Sequence, residues 1–290
     1  MVPPTRDGRF LLIAGLGYCG TVVAAAARAA GYRVLGTERA ASGRAGAVAF
    51  AELAALLGEA THLLITAAPE ETGDPVLARF GAEIAAAPRL RWIGYLSSTG
   101  VYGDHGGGLV DETTPASPAT PRTRRRRAAE EAWAGFSTTR AVDLCRIAGI
   151  YGPGRSVFDD LRAGRARRIV KPGQVFSRIH RDDIAGAVLA AMARAGAHGL
   201  RVFNLADDLP ASSAEVIAEA ARLLGLPPPP EIQFAEARAT MSAMALSFWA
   251  ENRRVDNART KAALGLEWLY PTYREGLAAI LREETSERRA

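Results

Sequence analysis

Gly15, Gly17 and Gly20 punctuate the run Phe10-Leu-Leu-Ile-Ala-Gly-Leu-Gly-Tyr-Cys-Gly-Thr21. Five apolar residues precede the glycines and an alanine-rich stretch follows, so the pattern reads as strand, tight turn and helix. In that setting each glycine has a task. Gly15 permits the turn, Gly17 lets the backbone approach a pyrophosphate, and Gly20 lets the helix pack close to the strand. The helix start then presents free N–H groups and a favourable dipole to phosphate. Tyr18 and Cys19 lie inside the same loop. A thiol near a helix start can be acidified, but a small side chain that fits beside a ligand is the plainer reading of Cys19. Glu38 follows at the end of the next apolar run, where an acid binds the ribose 2′-hydroxyl of NAD. Arg39 comes directly after it and suits the 2′-phosphate of NADP. The expected cofactor is therefore NAD or NADP.

These residues need a scaffold. Candidate strands are Phe10–Ala14, Arg33–Thr37, Ala47–Phe50, His62–Ala67, Trp92–Ser97 and Val142–Ile147, with helices such as Thr21–Ala30 and Val76–Ala86 between them. Continuous apolar runs alternating with helices predict an α/β fold with a Rossmann doubly wound parallel sheet. After about Gly152 the pattern loosens. Ser212-x-x-Glu215 and Thr272-x-x-Glu275 read as capping boxes, and Pro227 to Pro230 as a stiff connector. Residues 1–155 are expected to form the dinucleotide-binding core, and 156–290 mainly a smaller C-terminal substrate lobe, with some segments returning to the core.

Further landmarks are Tyr95-Leu-Ser-Ser-Thr-Gly-Val-Tyr-Gly103, Asp111-Glu-Thr113, Arg146-Ile-Ala-Gly-Ile-Tyr-Gly-Pro-Gly154, Ile179-His-Arg-Asp-Asp183 and Tyr270-Pro-Thr-Tyr-Arg-Glu-Gly276. With the glycine loop, they make the chain resemble the atypical branch of the extended short-chain dehydrogenase/reductases, the NAD-dependent epimerase/dehydratase-like family. The resemblance covers nearly the whole chain. It implies an oxidoreductase or epimerase in which Ser98 hydrogen-bonds the substrate oxygen, while Ala67, Ala68, Ser97 and the Tyr151 loop contact the cofactor. It also implies a Tyr and a Lys four residues apart on one helix face, the Tyr carrying the proton and the Lys holding the nicotinamide ribose.

Here the sequence departs from the family. Anchored on Glu130, the Lys position is Arg126 and the Tyr position is Arg122, and no Tyr occurs between Gly103 and Cys145. Arg126 can still bind ribose hydroxyls, but a guanidinium is a poor general acid or base near neutrality. Three readings follow. Tyr102, Tyr151 or His180 supplies the proton, although each also has a packing or turn-forming role open to it. Arg122 and Arg126 bind an anionic small-molecule substrate through bidentate contacts. Or the protein is a catalytically silent dinucleotide-binding regulator or sensor. Asn204 and Asn252-Arg253-Arg254 are further candidates for the substrate cleft.

Composition narrows the field. Of 36 basic residues only Lys171 and Lys261 are lysine, and the formal charge is +5. The arginines are scattered apart from Arg122 and Arg124 to Arg127, and no zinc-finger or RNP pattern accompanies them. This argues for a solvated surface and no nucleic-acid partner. The apolar run Val22 to Ala30 is too short to span a membrane. Two widely spaced cysteines, Cys19 and Cys145, exclude a metal-type spacing and fit a cytoplasmic protein. A homodimer is left open.

Overall fold

A computed structural model describes residues 8–40 and 43–287. The chain opens with β1 (Phe10–Ala14), α1 (Tyr18–Ala29), β2 (Arg33–Glu38), β3 (Ala47–Ala49), α2 (Leu53–Leu57), β4 (His62–Ile65), α3 (Pro75–Ala86) and β5 (Trp92–Ser98). It continues through β6 (Leu109–Val110), α4 (Pro121–Ala134), β7 (Ala141–Ile147) and β8 (Gly149–Tyr151). Then come α5 (Val157–Arg162), β9 (Arg168–Val170), β10 (Arg178–His180), α6 (Arg181–Ala193), β11 (Gly199–Leu205) and α7 (Ser213–Leu223). The remaining elements are β12 (Glu231–Gln233), α8 (Phe234–Ala237), α9 (Ala243–Trp249), β13 (Arg254–Val255), α10 (Ala258–Leu264) and α11 (Tyr273–Glu287).

Among the described residues seven strands form one sheet in the order β11-β7-β5-β4-β1-β2-β3, every pair parallel. This is the doubly wound Rossmann sheet expected from the alternating pattern. The reversal of strand order falls between β1 and β4, where such sheets open a crevice for ligands. Side chains alternate across the sheet. Leu11 and Ile13 pack with Val23, Ala27 and the α6 residues Ile184 and Val188. Phe10 and Leu12 face Leu53, Phe80, Ile84 and Trp133 of α2, α3 and α4. Helices therefore cover both faces, which is why the strands read as unbroken apolar runs.

Strand ends differ from the sequence expectation where side chains intervene. β4 stops at Ile65 rather than Ala67, because Thr66 and Ala67 both turn their N–H groups to Ala14 O and Thr66 Oγ1 donates to Gly15 O at 2.6 Å. The turn at β1 and the end of β4 are thereby locked together. α1 begins at Tyr18, not Thr21, directly on the glycine loop.

The second half adds a smaller core in which Tyr151, Phe158, Ile217, Tyr273, Leu277 and Ile280 pack together from β8, α5, α7 and α11. Its short strands pair as β8 with β10, β9 with β12 and β6 with β13. β11 and α6, however, belong to the first core, so the two halves are interleaved. No helix among the described residues is long and apolar enough to cross a membrane.

Candidate active site

The glycine turn has the geometry its spacing predicts. Gly15 has φ +114°, a backbone region that side chains rarely adopt, and a Cβ there would lie 2.5 Å from Thr66 Oγ1. A Cβ on Gly20 would lie 2.2 Å from Gly15 O, so α1 can approach β1 only with glycine at this position. Gly17 is the contrast: its φ is −76° and a Cβ would meet nothing within 4 Å. Gly17 is also the N-cap of α1, and no side chain caps that helix start. The result is an open cradle of unsatisfied N–H groups, the feature that suits an anionic diphosphate.

Around the cradle, Tyr18 donates its hydroxyl to Pro153 O at 3.0 Å, and Arg155 and Arg181 lie over its ring. Cys19 packs against the first core, and burial pushes its thiol up, away from a reactive thiolate. Glu38 closes β2 with its carboxylate 3.5 Å from Arg44, and Arg39 is exposed beside it. Ala67 is half-buried and Ala68 exposed at the end of β4.

Beyond the end of β5 lies a cavity of about 360 Å³. Strand alternation decides which serine reaches it. Ser98 lines the cavity, and its Oγ accepts from Gly100 N at 3.1 Å. Ser97 points the other way and donates to Glu130 Oε1 at 2.6 Å. Glu130 is fully buried and takes two further bonds from Arg146, at 3.0 and 2.8 Å. Ser97 thus joins the ion pair that anchors α4.

α4 starts on a capping box of Thr120 and Thr123, with Pro121 in its first turn. That start brings Arg122 into the cavity wall, its guanidinium 4.5 Å from the Phe248 ring centre. Burial pulls the Arg122 pKa down, Glu251 opposes this, and Arg126 and Arg253 add to it. Arg126, one turn on, donates to Tyr95 Oη at 2.9 Å and Leu96 O at 3.0 Å, which ties it to β5 and away from the cavity.

The structure does not bring the alternative proton carriers here. Among the described residues that line the cavity there is no tyrosine or histidine. Tyr102 is buried and donates to Asn204 Oδ1 at 2.7 Å, which accounts for Asn204 as well. Tyr151 belongs to the second core, with its ring against His180 and its hydroxyl 3.4 Å from Thr272 O. His180 is the N-cap of α6, accepting from Asp182 N at 3.3 Å, between the Tyr151 and Tyr270 rings. Burial lowers its pKa to about 4, so it is neutral near pH 7. In this structure Tyr151 packs in the second core and His180 caps α6, both outside the Ser98 cavity.

Sequence reasoning reached Arg253 but missed Glu251, Arg178 and the aromatic wall of Phe176, Phe248 and Trp249. Glu251 lies in an arginine-rich stretch with no motif, and the aromatics come from segments more than 70 residues apart in sequence. A Cβ built on Gly100 would lie 2.9 Å from Thr123 Cγ2, 3.3 Å from Ser98 Oγ and 3.8 Å from Arg253 Nη2, so β5, α4 and the β13 approach converge on one point.

A parallel seven-stranded sheet, a glycine cradle after β1 and a serine-lined cavity beyond β5 define a Rossmann protein of the short-chain dehydrogenase/reductase class. Comparison with known proteins narrows this. No family model matches the chain. It is 30% identical over 237 residues to the 3-diazoavenalumate denitrifying reductase of a Streptomyces species, covering 79% of this chain and 72% of that protein. It is 32% identical over 188 residues to Protein YeeZ of Escherichia coli K12, covering 64% of this chain but only 61% of that relative's length. Among solved structures, a conserved protein of unknown function from Silicibacter pomeroyi DSS is 45% identical, with TM-score 0.87 over 95% of this chain and 99% of that one. The human epimerase family protein SDR39U1, solved with NADPH, shares the fold at 20% identity, with TM-score 0.79 over 94% and 99%. The chain belongs to the atypical, epimerase/dehydratase-like short-chain dehydrogenase/reductases.

Proposed function

We propose that this protein is an NAD- or NADP-dependent oxidoreductase that acts on a small anionic molecule in the Ser98 cavity. The observation that carries the reading is the open cradle at Gly17, flanked by two glycines that can be nothing else. The N–H groups from Gly17 to Gly20 would hold the diphosphate, those of Gly15 and Leu16 being bonded to β1 and β2, and Glu38 with Arg39 would meet the adenosine ribose. When bound, the nicotinamide ring supplies or accepts a hydride. Ser98 Oγ accepts from Gly100 N, which leaves its own hydrogen to donate to a substrate oxygen. Arg122 offers a cation to the acidic group of the substrate. The reductase among the relatives favours turnover over a silent regulatory role. On this reading residues 1–155 form the dinucleotide core and residues 156–290 mainly the substrate lobe. Free Cys19 and Cys145 suit a cytoplasmic location.

Calorimetric titration with NADPH, NADH and their oxidised forms tests the reading. Micromolar binding of at least one form is expected. Absence of binding to all four at millimolar concentration would overturn it.

A further inference from the structure

Two groups in the Ser98 cavity lack the partners their chemistry requires. Glu251 is 8% exposed, and its Oε2 accepts from Arg253 Nη1 at 2.8 Å. Its Oε1 is buried and has no hydrogen-bond partner among the described residues. A buried carboxylate oxygen without a donor is costly and rare in native proteins. Opposite in charge, Arg122 contacts the face of Phe248 but donates no hydrogen bond among the described residues, so its planar fork is uncommitted.

The remaining walls are of two kinds. Phe176, Phe248 and Trp249 supply aromatic surface, and Trp249 is itself held edge-on to Phe176 and stacked on Phe234, each at 5.2 Å between ring centres. Arg178 and Arg253 add cations, but both already donate to backbone carbonyls: Arg178 to Phe176 O and Ala211 O, Arg253 to Gly103 O. Three arginines against one glutamate leave the cavity net positive. Its volume of about 360 Å³ is at the small end for a small-molecule site.

We propose that the cavity recognises a compact aromatic acid that also carries a hydroxyl or amine, with Arg122 holding the acidic group and Glu251 Oε1 accepting the donor. This rests on reading the Ser98 cavity as the substrate site. The aromatic walls sandwich the flat body of the ligand, the arginine selects its charge, and Glu251 is the specificity residue. A site built around a buried acceptor discriminates strongly against analogues that lack the matching donor, because the acceptor is then left bare.

The test uses the full chain, calorimetry and four probes: 3-hydroxybenzoate, 4-hydroxybenzoate, benzoate and phenol. For the wild-type protein, at least one hydroxybenzoate should bind tenfold or more tightly than benzoate, and benzoate more tightly than phenol. Glu251→Leu should erase the hydroxyl advantage and leave benzoate bound at least as well as before. Arg122→Leu should weaken every carboxylate about tenfold and leave phenol unchanged. Glu251→Gln keeps shape and an acceptor oxygen, and should retain part of the advantage with an unchanged melting temperature. Equal affinity for hydroxylated and plain acids, or no binding of any probe at millimolar concentration, overturns the proposal. Dinucleotide titration of the same samples separates the two readings. Its failure overturns the oxidoreductase assignment, whereas dinucleotide binding without hydroxyl preference overturns the substrate inference alone.

Discussion

Replacing Gly17 and Gly20 separately by alanine divides the fold from the proposed cofactor site. The two residues are three apart, Gly17 at the N-cap and Gly20 in the first turn of α1, yet an added methyl group meets opposite surroundings. At Gly17 the backbone angles, φ −76° and ψ −163°, suit alanine, and the Cβ has nothing within 4 Å. Alanine is a poorer N-cap than glycine by roughly 0.5–1 kcal/mol. It also narrows the unfolded ensemble, which returns about 0.4–1 kcal/mol. The two nearly cancel, so Gly17→Ala should melt within a few degrees of wild type. The methyl would nevertheless occupy the cradle, and dinucleotide affinity should fall at least ~10-fold, about 1.4 kcal/mol. At Gly20 the Cβ would lie 2.2 Å from Gly15 O, a backbone atom that cannot swing away. The local backbone must shift, at a cost near the upper end of the ~1–3 kcal/mol typical of overpacking. For a 290-residue chain, whose unfolding entropy is correspondingly large, that lowers the melting temperature by roughly 5 °C. Thermal melts and calorimetric titration with NADPH and NADH read both effects. If Gly17→Ala binds dinucleotide within twofold of wild type, the cradle is not the phosphate site. If Gly20→Ala melts like wild type, the close approach of α1 to β1 is not a constraint.

Three other outcomes follow from the same physics. Glu130→Ala strands the buried Arg146, whose partner side chain is 0% exposed, and should cost about 3–5 kcal/mol in denaturant unfolding; a loss under 1 kcal/mol would contradict the anchoring role of this pair. Tyr151→Phe removes only a 3.4 Å contact to Thr272 O, so stability should fall by less than ~1 kcal/mol with turnover unchanged; a hundredfold loss of turnover would restore Tyr151 to the catalytic set. Asp207 is buried, and desolvation pushes its pKa up to about 8, despite the opposing pull of Arg178. A pKa raised above the unfolded value means that the folded state holds the proton more tightly, so wild-type stability is lost as pH rises from about 4 towards 8. Asp207→Asn should therefore gain stability relative to wild type across that window, and a pH-independent difference between the two unfolding curves would refute the burial argument.

The sequence alone determined the features whose causes are local. β1 and β4 are legible because a strand buried on both faces is largely apolar, as in Leu63-Leu64-Ile65, with His62 the buried polar exception in β4. The glycine turn is legible because positive φ at Gly15 and the tight approach at Gly20 each demand glycine within a few residues of one another. The placing of Arg122 and Arg126 one turn apart was legible through the family resemblance anchored on Glu130, and the Thr120–Thr123 capping box is the local cause of the helix start. Only the tertiary structure decided what those side chains meet. Ser97 and Ser98 are neighbours of the same type, and the pleat of β5 sends one to Glu130 and the other to the cavity. Arg126 reads as a ligand-binding cation until β5 is seen to supply Leu96 O and Tyr95 Oη. Tyr151 and His180 are chemically suited to proton transfer, but packing from α6, α11 and Tyr270 turns them inward. Glu251 and the aromatic wall carry no local signature, because the cavity is assembled from segments around residues 98, 122, 147, 176 and 250. Local patterning fixes which backbone can form; what a side chain does there depends on partners that only long-range packing brings within reach.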